Sequence, residues 1–224
     1  MTPTLAKYII TGGAGNDFIA GGKGNDVINT GAGADVIAFN RGDGQDIVHA
    51  SVGEDNTISL GKGIKYVDLQ FKKSANDLVL VTGSNEQITF KDWYTGTGSR
   101  GIANLQVVIE GTSDYDAASA SALNNKKIGQ FDFDGLVTAF DQARAANPNL
   151  TSWSLSTSLL DFHLGGSDTA ALGGDLTYQY AKNGNLSTVS MTPAQGLLAA
   201  GSFGSAPQNL QNVSALQELS PRLM

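Results

Sequence analysis

"TGGAGNDFIAGGKGNDVINTGAGADVIAFNRGDGQDIV" (residues 11–48) is the stretch that decides how this chain folds. Set out in nines it reads "GGAGNDFIA" (12–20), "GGKGNDVIN" (21–29) and "TGAGADVIA" (30–38), with "RGDGQDIVH" (41–49) following after Phe39 and Asn40. Each copy is a turn and then a short strand. Small residues come first, an Asp stands sixth (Asp17, Asp26, Asp35, Asp46) and an aliphatic stands eighth (Ile19, Ile28, Ile37, Val48). Glycine loses more conformational freedom on folding than any other residue, so stabilisation from outside the polypeptide is expected. A strand of about three residues cannot bury its face alone, and stacking successive copies is the economical way to build a core from it.

The geometry this suggests is a parallel β-roll, in which two nonapeptides make one coil and like turns recur every second copy. Asp17 then comes near Asp35 on one side and Asp26 near Asp46 on the other, with a weaker pairing of Asp35 and Asp55 in "SVGEDNTI". Carboxylates forced together repel unless they are protonated or bridged by a cation, and the glycines let backbone carbonyls approach the same point. Oxygen ligands without nitrogen or sulfur describe a hard cation, and flexible loops favour calcium over magnesium. The candidate metal set is Asp17, Asp26, Asp35 and Asp46 with the turn residues Gly13, Gly15, Asn16, Gly22, Gly24, Asn25, Gly31, Gly33, Gly42 and Gly44. The bland alternative is a series of Gly/Asn/Asp turns that binds nothing.

These copies resemble the GGxGxDxUx repeats of RTX proteins, a calcium-binding β-helix signature. The match is close over 12–29 and looser over 30–49, where Thr30 and Arg41 replace glycine at position one. The stretch from Asp55 to Tyr94 is also similar to the segment that follows the repeats in haemolysin-type calcium-binding proteins. The resemblance covers residues 12 to about 110 and identifies a module rather than an activity.

Beyond Asn56 come ordinary strand signals: "NTISL", "YVDLQF", "DLVLV", "QITF" and "LQVVIE", with Leu69, Phe71, Ile88 and Phe90 pointing one way. They are expected to continue the roll and close it, with Trp93 and Tyr94 sealing the last open edge and Asp92 a turn residue beside them. The polar stretch 112–130 reads as a linker. A helix follows in "FDFDGLVTAFDQARAANP", with Phe133, Leu136, Val137, Phe140 and Ala143 on one face and Pro148 ending it. "SLSTSLLDFHL" reads as a second helix stopped by Gly165 and Gly166, and Thr192–Pro193 as the cap and first position of a third. "LTYQYAKNGNLSTVS" fits either a hairpin at Asn183–Gly184 or a helix. Residues 131–204 resemble, through "GSDTAALGGDL", a C-terminal segment of some large repetitive RTX proteins. The expected fold is mainly β: residues 1–111 a β-roll with a β cap, 131–204 a smaller, mostly α-helical C-terminal region, and 205–224 a tail.

Composition narrows the function. The 224 residues contain no Cys, 28 Gly, and 21 Asp plus Glu against 14 Lys plus Arg, for a net charge of -7. Without cysteine there is no disulfide framework, Cys-based zinc site or thiol nucleophile. The acidic balance argues against nucleic acid and anionic membranes as partners. No segment has the roughly 18–20 apolar residues of a membrane helix, and "MTPTLAKYII" lacks the build of a signal peptide. "AKYIITGG" enters the first copy almost uncapped, which suggests truncation. The two histidines, His49 and His163, read as an outward roll residue and a helix-end residue. Ser167 and Asp168 beside His163 make an implausible triad, and there is no G-x-S-x-G elbow, H-E-x-x-H site or phosphate loop. The glycine pairs of "GGSD" and "GGDL" read as helix stops followed by the capping residues Ser167, Asp168 and Asp175. The chain is therefore expected not to be an enzyme.

The RTX resemblance implies a calcium-binding module of a protein secreted from Gram-negative bacteria. Export would run through type I secretion machinery that reads an uncleaved C-terminal signal, here 205–224. The module would fold on meeting calcium outside the cell and remain extracellular or attached to the cell surface. Two other readings stay open: the non-catalytic end of a secreted protease or lipase, and the C-terminal end of a surface adhesin.

Overall fold

The structure, a computed structural model, describes residues 6–51, 55–96 and 101–210. Strands β1 (Ile9–Thr11), β2 (Phe18–Ala20), β3 (Val27–Asn29), β4 (Val36–Asn40), β5 (Gln45–His49) and β6 (Asn56–Gly61) alternate between two sheets. Odd strands pair with odd and even with even, always in parallel: β1 with β3, β3 with β5, β2 with β4 and β4 with β6. In the three-residue strands β2 and β3 only the middle residue is buried, so Ile19 and Ile28 fill the space between the sheets, joined there by Ile37, Val48 and Ile58. This is a β-roll, built because each short strand has one apolar side chain to bury and a glycine turn that sends the chain across to the other sheet.

The parallel winding then gives way to antiparallel strands. The segment "YVDLQF" is divided: Tyr66–Asp68 forms a 3-10 turn and the strand β7 starts at Gln70, running to Ser74. Strand β8 (Asp77–Gly83) lies between β7 and β9 (Glu86–Phe90), antiparallel to both, while β9 adds in parallel to β5. On the other sheet β10 (Ile102–Val108) adds in parallel to β6, and β11 (Ile128–Asp132) turns back antiparallel to β10. These strands close the last coil. Trp93 is buried there beside Phe90 and Phe133, with Tyr94 packed on the edge of the core.

Helix α1 (Phe133–Ala146) follows β11 directly, its N-terminus held by the Asp132 carboxylate, which accepts the Gly135 N–H. It buries Phe133, Leu136, Val137 and Phe140 in the same core as the roll, while Ala143 is half-buried at the edge. Phe133 meets Phe71, Phe90 and Trp93 edge-on at centroid distances of 5.5, 5.3 and 5.7 Å. Burying such a ring is worth about 1.5–3 kcal/mol.

The remainder differs from expectation in three places and decides between the two readings left open in a fourth. Strand β11 begins inside the stretch read as a linker, because its backbone pairs with β10 while Ile128 and Phe131, on opposite faces, are buried in two different apolar clusters. "SLSTSLLDFHL" is not a helix: β12 (Trp153–Ser154) pairs with β7, Leu155 and Leu159 anchor a run of turns, and β13 (His163–Ser167) pairs with β11. Gly165 and Gly166 therefore lie in a strand, opposite Gln130 and Gly129. After β14 (Ala170–Leu172), helix α2 (Gly174–Asn183) ends on Gly184 at φ 74°, so Asn183–Gly184 is a helix stop and not a hairpin turn. Helix α3 (Met191–Leu198) starts after Ser190, two residues before the expected cap. The C-terminal region is thus mixed, with β15 (Pro207–Asn209) pairing with β14. Of the tail, 211–224 lies outside the described residues. Among the described residues no helix is long and apolar enough to cross a membrane.

Candidate metal centre

The glycine turns form two stacks. Turns 12–17 and 30–35 lead into β2 and β4, and turns 21–26 and 41–46 lead into β3 and β5. The Asp17 N–H donates to Asp35 Oδ1 at 2.8 Å, and the Asp26 N–H donates to Asp46 Oδ1 at 2.9 Å. Asp26 Oδ1 in turn accepts the Tyr8 N–H at 2.7 Å. The carboxylates of Asp26, Asp35 and Asp46 therefore serve the backbone of the preceding coil, as the sequence register requires, while Asp17 Oδ2 accepts the Gly13 N–H of its own turn. The pairing of Asp35 with Asp55 does not form. Because Val36 registers with Thr57, the place is taken by Asn56, whose Oδ1 accepts the Asp35 N–H at 2.8 Å and whose Nδ2 donates to the Gly101 carbonyl. A neutral amide ends the first stack of aspartates.

Oxygen atoms crowd these turns. A Cβ on Gly21 would stand 2.6 Å from Asp26 Oδ2, and one on Gly44 would stand 2.1 Å from the Gly24 carbonyl oxygen. Only glycine permits this approach. Gly33 lies over the Gly15 carbonyl and Gly31 over that of Gly13, while Gly22 has open space around it. Part of the backbone is already engaged: the Gly13 carbonyl accepts the Ala32 N–H, and the Gly31 carbonyl accepts the Ser51 hydroxyl. The Gly42 N–H donates to Glu86 Oε1. Asn16 and Asn25 serve the ladder too, their Oδ1 atoms accepting the N–H groups of Ala34 and Gln45 at 2.9 and 3.0 Å. In this structure they join neighbouring turns.

Asp26 Oδ2 is buried and has no hydrogen-bond partner. Burial pushes the Asp46 carboxyl up to about 7, and the charges of Asp26 and Asp43 add to the effect. Asp43 was missed by sequence reasoning. It is buried, accepts the Asn40 N–H at 2.8 Å, and is pushed up to about 6, chiefly by burial. The available signal was its position, third in its copy, where the other copies carry Ala14, Lys23 and Ala32.

This donor chemistry fits a hard cation. Among the described residues no three acidic or histidine side chains gather into a metal-holding group, so a cation would draw on one or two carboxylates and on backbone carbonyls, the ligand mixture calcium accepts. Asp17 and Asp35 would hold it in the first stack, and Asp26 and Asp46 in the second. There it would supply the positive charge that lets buried carboxylates stay ionised. Neither histidine lies in the turns of the two stacks. His49 is exposed, and His163 starts a strand beside the Phe131 ring, its pKa lowered by burial. Ser167 Oγ accepts the N–H groups of Thr169 and Ala170, and Asp168 pairs with Lys126.

Comparison with known proteins points the same way. Residues 9–37 match the family model described as RTX calcium-binding nonapeptide repeat (4 copies). No curated protein matches the chain. The family match ends at Ile37, whereas the coil geometry runs on through β5 and Asp46. Residues 9–37 thus carry RTX calcium-binding nonapeptide repeats, and they wind into the first coils of the roll.

Proposed function

We propose that this chain is a calcium-responsive module of a secreted protein, whose roll is completed by calcium outside the cell after export through type I secretion machinery. The observation that carries the reading is the buried, unpartnered Oδ2 of Asp26, one coil away from the buried Asp46. A folded protein keeps an anion in such a place only when a cation or a proton neutralises it. Where calcium is scarce, repelling aspartates and entropically costly glycines oppose the fold. Extracellular calcium modules bind at about 10⁻⁴–10⁻³ M, which places the transition at the cell boundary.

Isothermal titration of the purified chain tests the binding step, with magnesium as control. Calcium-selective heat that is lost in Asp26→Ala/Asp35→Ala supports the reading. Equal heats for both cations, or none, would remove it. Export is tested separately, by deleting 205–224 and following the chain in cells carrying a type I channel.

A further inference from the structure

The outward face of the β2–β4–β6 sheet is covered by the chain's own C-terminal segment. Every residue of β4 and β6 is buried, so both faces of these strands are shielded from water. On the outer face Val36 packs with Leu176 and Phe203, and the Tyr180 ring meets Phe18 edge-on at 5.7 Å. The covering segment is tied to the turns at both ends of the strands. At the first stack, Asn16 Nδ2 donates to the Ala200 carbonyl at 3.1 Å while its Oδ1 accepts the Ala34 N–H. A Cβ on Gly204 would stand 2.2 Å from the Ala34 carbonyl oxygen, and Thr57 Oγ1 donates to the Gly204 carbonyl at 2.7 Å. At the opposite end, Asn40 Nδ2 donates to the Tyr180 carbonyl at 3.1 Å and the Lys62 N–H to the Ala181 carbonyl at 2.6 Å.

We propose that residues 173–204 form a strap that closes over β2, β4 and β6 only when the two turn stacks hold calcium, so that cation binding and strap docking are one coupled equilibrium. The inference rests on reading the turns as calcium sites. Its physical basis is that the anchors Asn16, Ala34 and Asn40 belong to the turns or adjoin them. If unscreened aspartates spread successive coils, the anchors separate and the strap loses its seat. Linkage makes the coupling reciprocal: whatever weakens docking must weaken calcium binding by the same factor.

The test follows two signals on the full chain during a calcium titration: far-UV circular dichroism for the roll, and amide hydrogen exchange at 174–183 for the strap. Protection of the helix is expected to rise in step with the β signal. Phe203→Ala is expected to raise the calcium midpoint about five-fold or more. Thr57→Val, which keeps its shape and loses only the bond to Gly204, should shift the midpoint the same way by a smaller factor. It carries the test if Phe203→Ala does not fold. A β signal that responds to calcium with an unchanged midpoint in Thr57→Val, or a helix equally protected in chelator, overturns the strap and leaves the calcium reading standing. A β signal indifferent to calcium overturns both.

Discussion

The backbone N–H of Asp26 points at Oδ1 of Asp46, twenty residues later, at 2.9 Å. That contact fixes two carboxylates on adjacent coils, and strands so paired lie about 4.8 Å apart. Two unit charges at such a spacing repel by about 3 kcal/mol at the effective dielectric of a protein. The arrangement holds together by protonation or by a cation, and the turns offer the oxygen ligands for the second.

Neutralising one member of this pair should have opposite effects with and without calcium. Asp26→Asn keeps an acceptor for the Tyr8 N–H and removes the charge. In chelator its melting temperature is expected to equal or exceed the wild type's. At calcium 100-fold above the wild-type dissociation constant, the variant should lack most of the roughly 2.7 kcal/mol that saturation supplies. Thermal melts in the two buffers check both halves.

Calcium-free stability should fall as pH rises. The folded-state pKa values of Asp43 and Asp46 are raised to about 6 and about 7, above the ordinary 3.8. Between about pH 4 and 7 the folded chain therefore binds more protons than the unfolded chain, and unfolding free energy decreases with pH across that window. Melts in chelator should show a higher midpoint at pH 5 than at pH 8. Because calcium needs the ionised carboxylates, its affinity should move the other way and be greater at pH 8.

Arg41 departs from the repeat by replacing a glycine, and it stitches the roll to its cap. Its guanidinium donates to the Thr82 and Gly63 carbonyls and pairs with Asp68 and Glu86. Restoring the repeat with Arg41→Gly should destabilise the chain by about 1–2 kcal/mol, a modest figure because the guanidinium is partly exposed. Denaturant unfolding with calcium held constant measures it.

Phe133 joins the first turn of α1 to the roll through Phe71, Phe90 and Trp93. Phe133→Ala is expected to cost about 3–5 kcal/mol. Near-UV dichroism, which sees Trp93, and far-UV dichroism should lose their signals in one coincident transition. Two separated transitions would show that the helix and the roll unfold independently.

The repeats were legible because each coil touches only its neighbours, so a nine-residue period states the contacts directly. It placed Asp17 against Asp35 and Asp26 against Asp46, and the 3.6-residue spacing of Phe133, Leu136, Val137 and Phe140 marked α1 in the same local way. The Asp35–Asp55 pairing failed because the spacing after Asp46 is one residue longer than the nine-residue period, and register passed to Asn56. Asp43 escaped because its burial is imposed by structure outside its own copy. The strands β11 and β13 and the covering segment were hidden for the same reason. Gly165 and Gly166 read as helix stops until β11 lies beside them, and nothing in "GSFGS" announces that Gly204 will rest on Ala34.

The central claim is that calcium completes this fold, and the most direct measurement is a far-UV circular dichroism titration of the purified chain from chelator to about 10 mM calcium, with magnesium in parallel. The account expects a β signal that grows with calcium alone, with a midpoint of about 10⁻⁴–10⁻³ M, and that is lost in Asp26→Ala/Asp35→Ala. A spectrum unchanged from chelator to saturation, with no calcium bound, would contradict it and leave the repeats as structural turns.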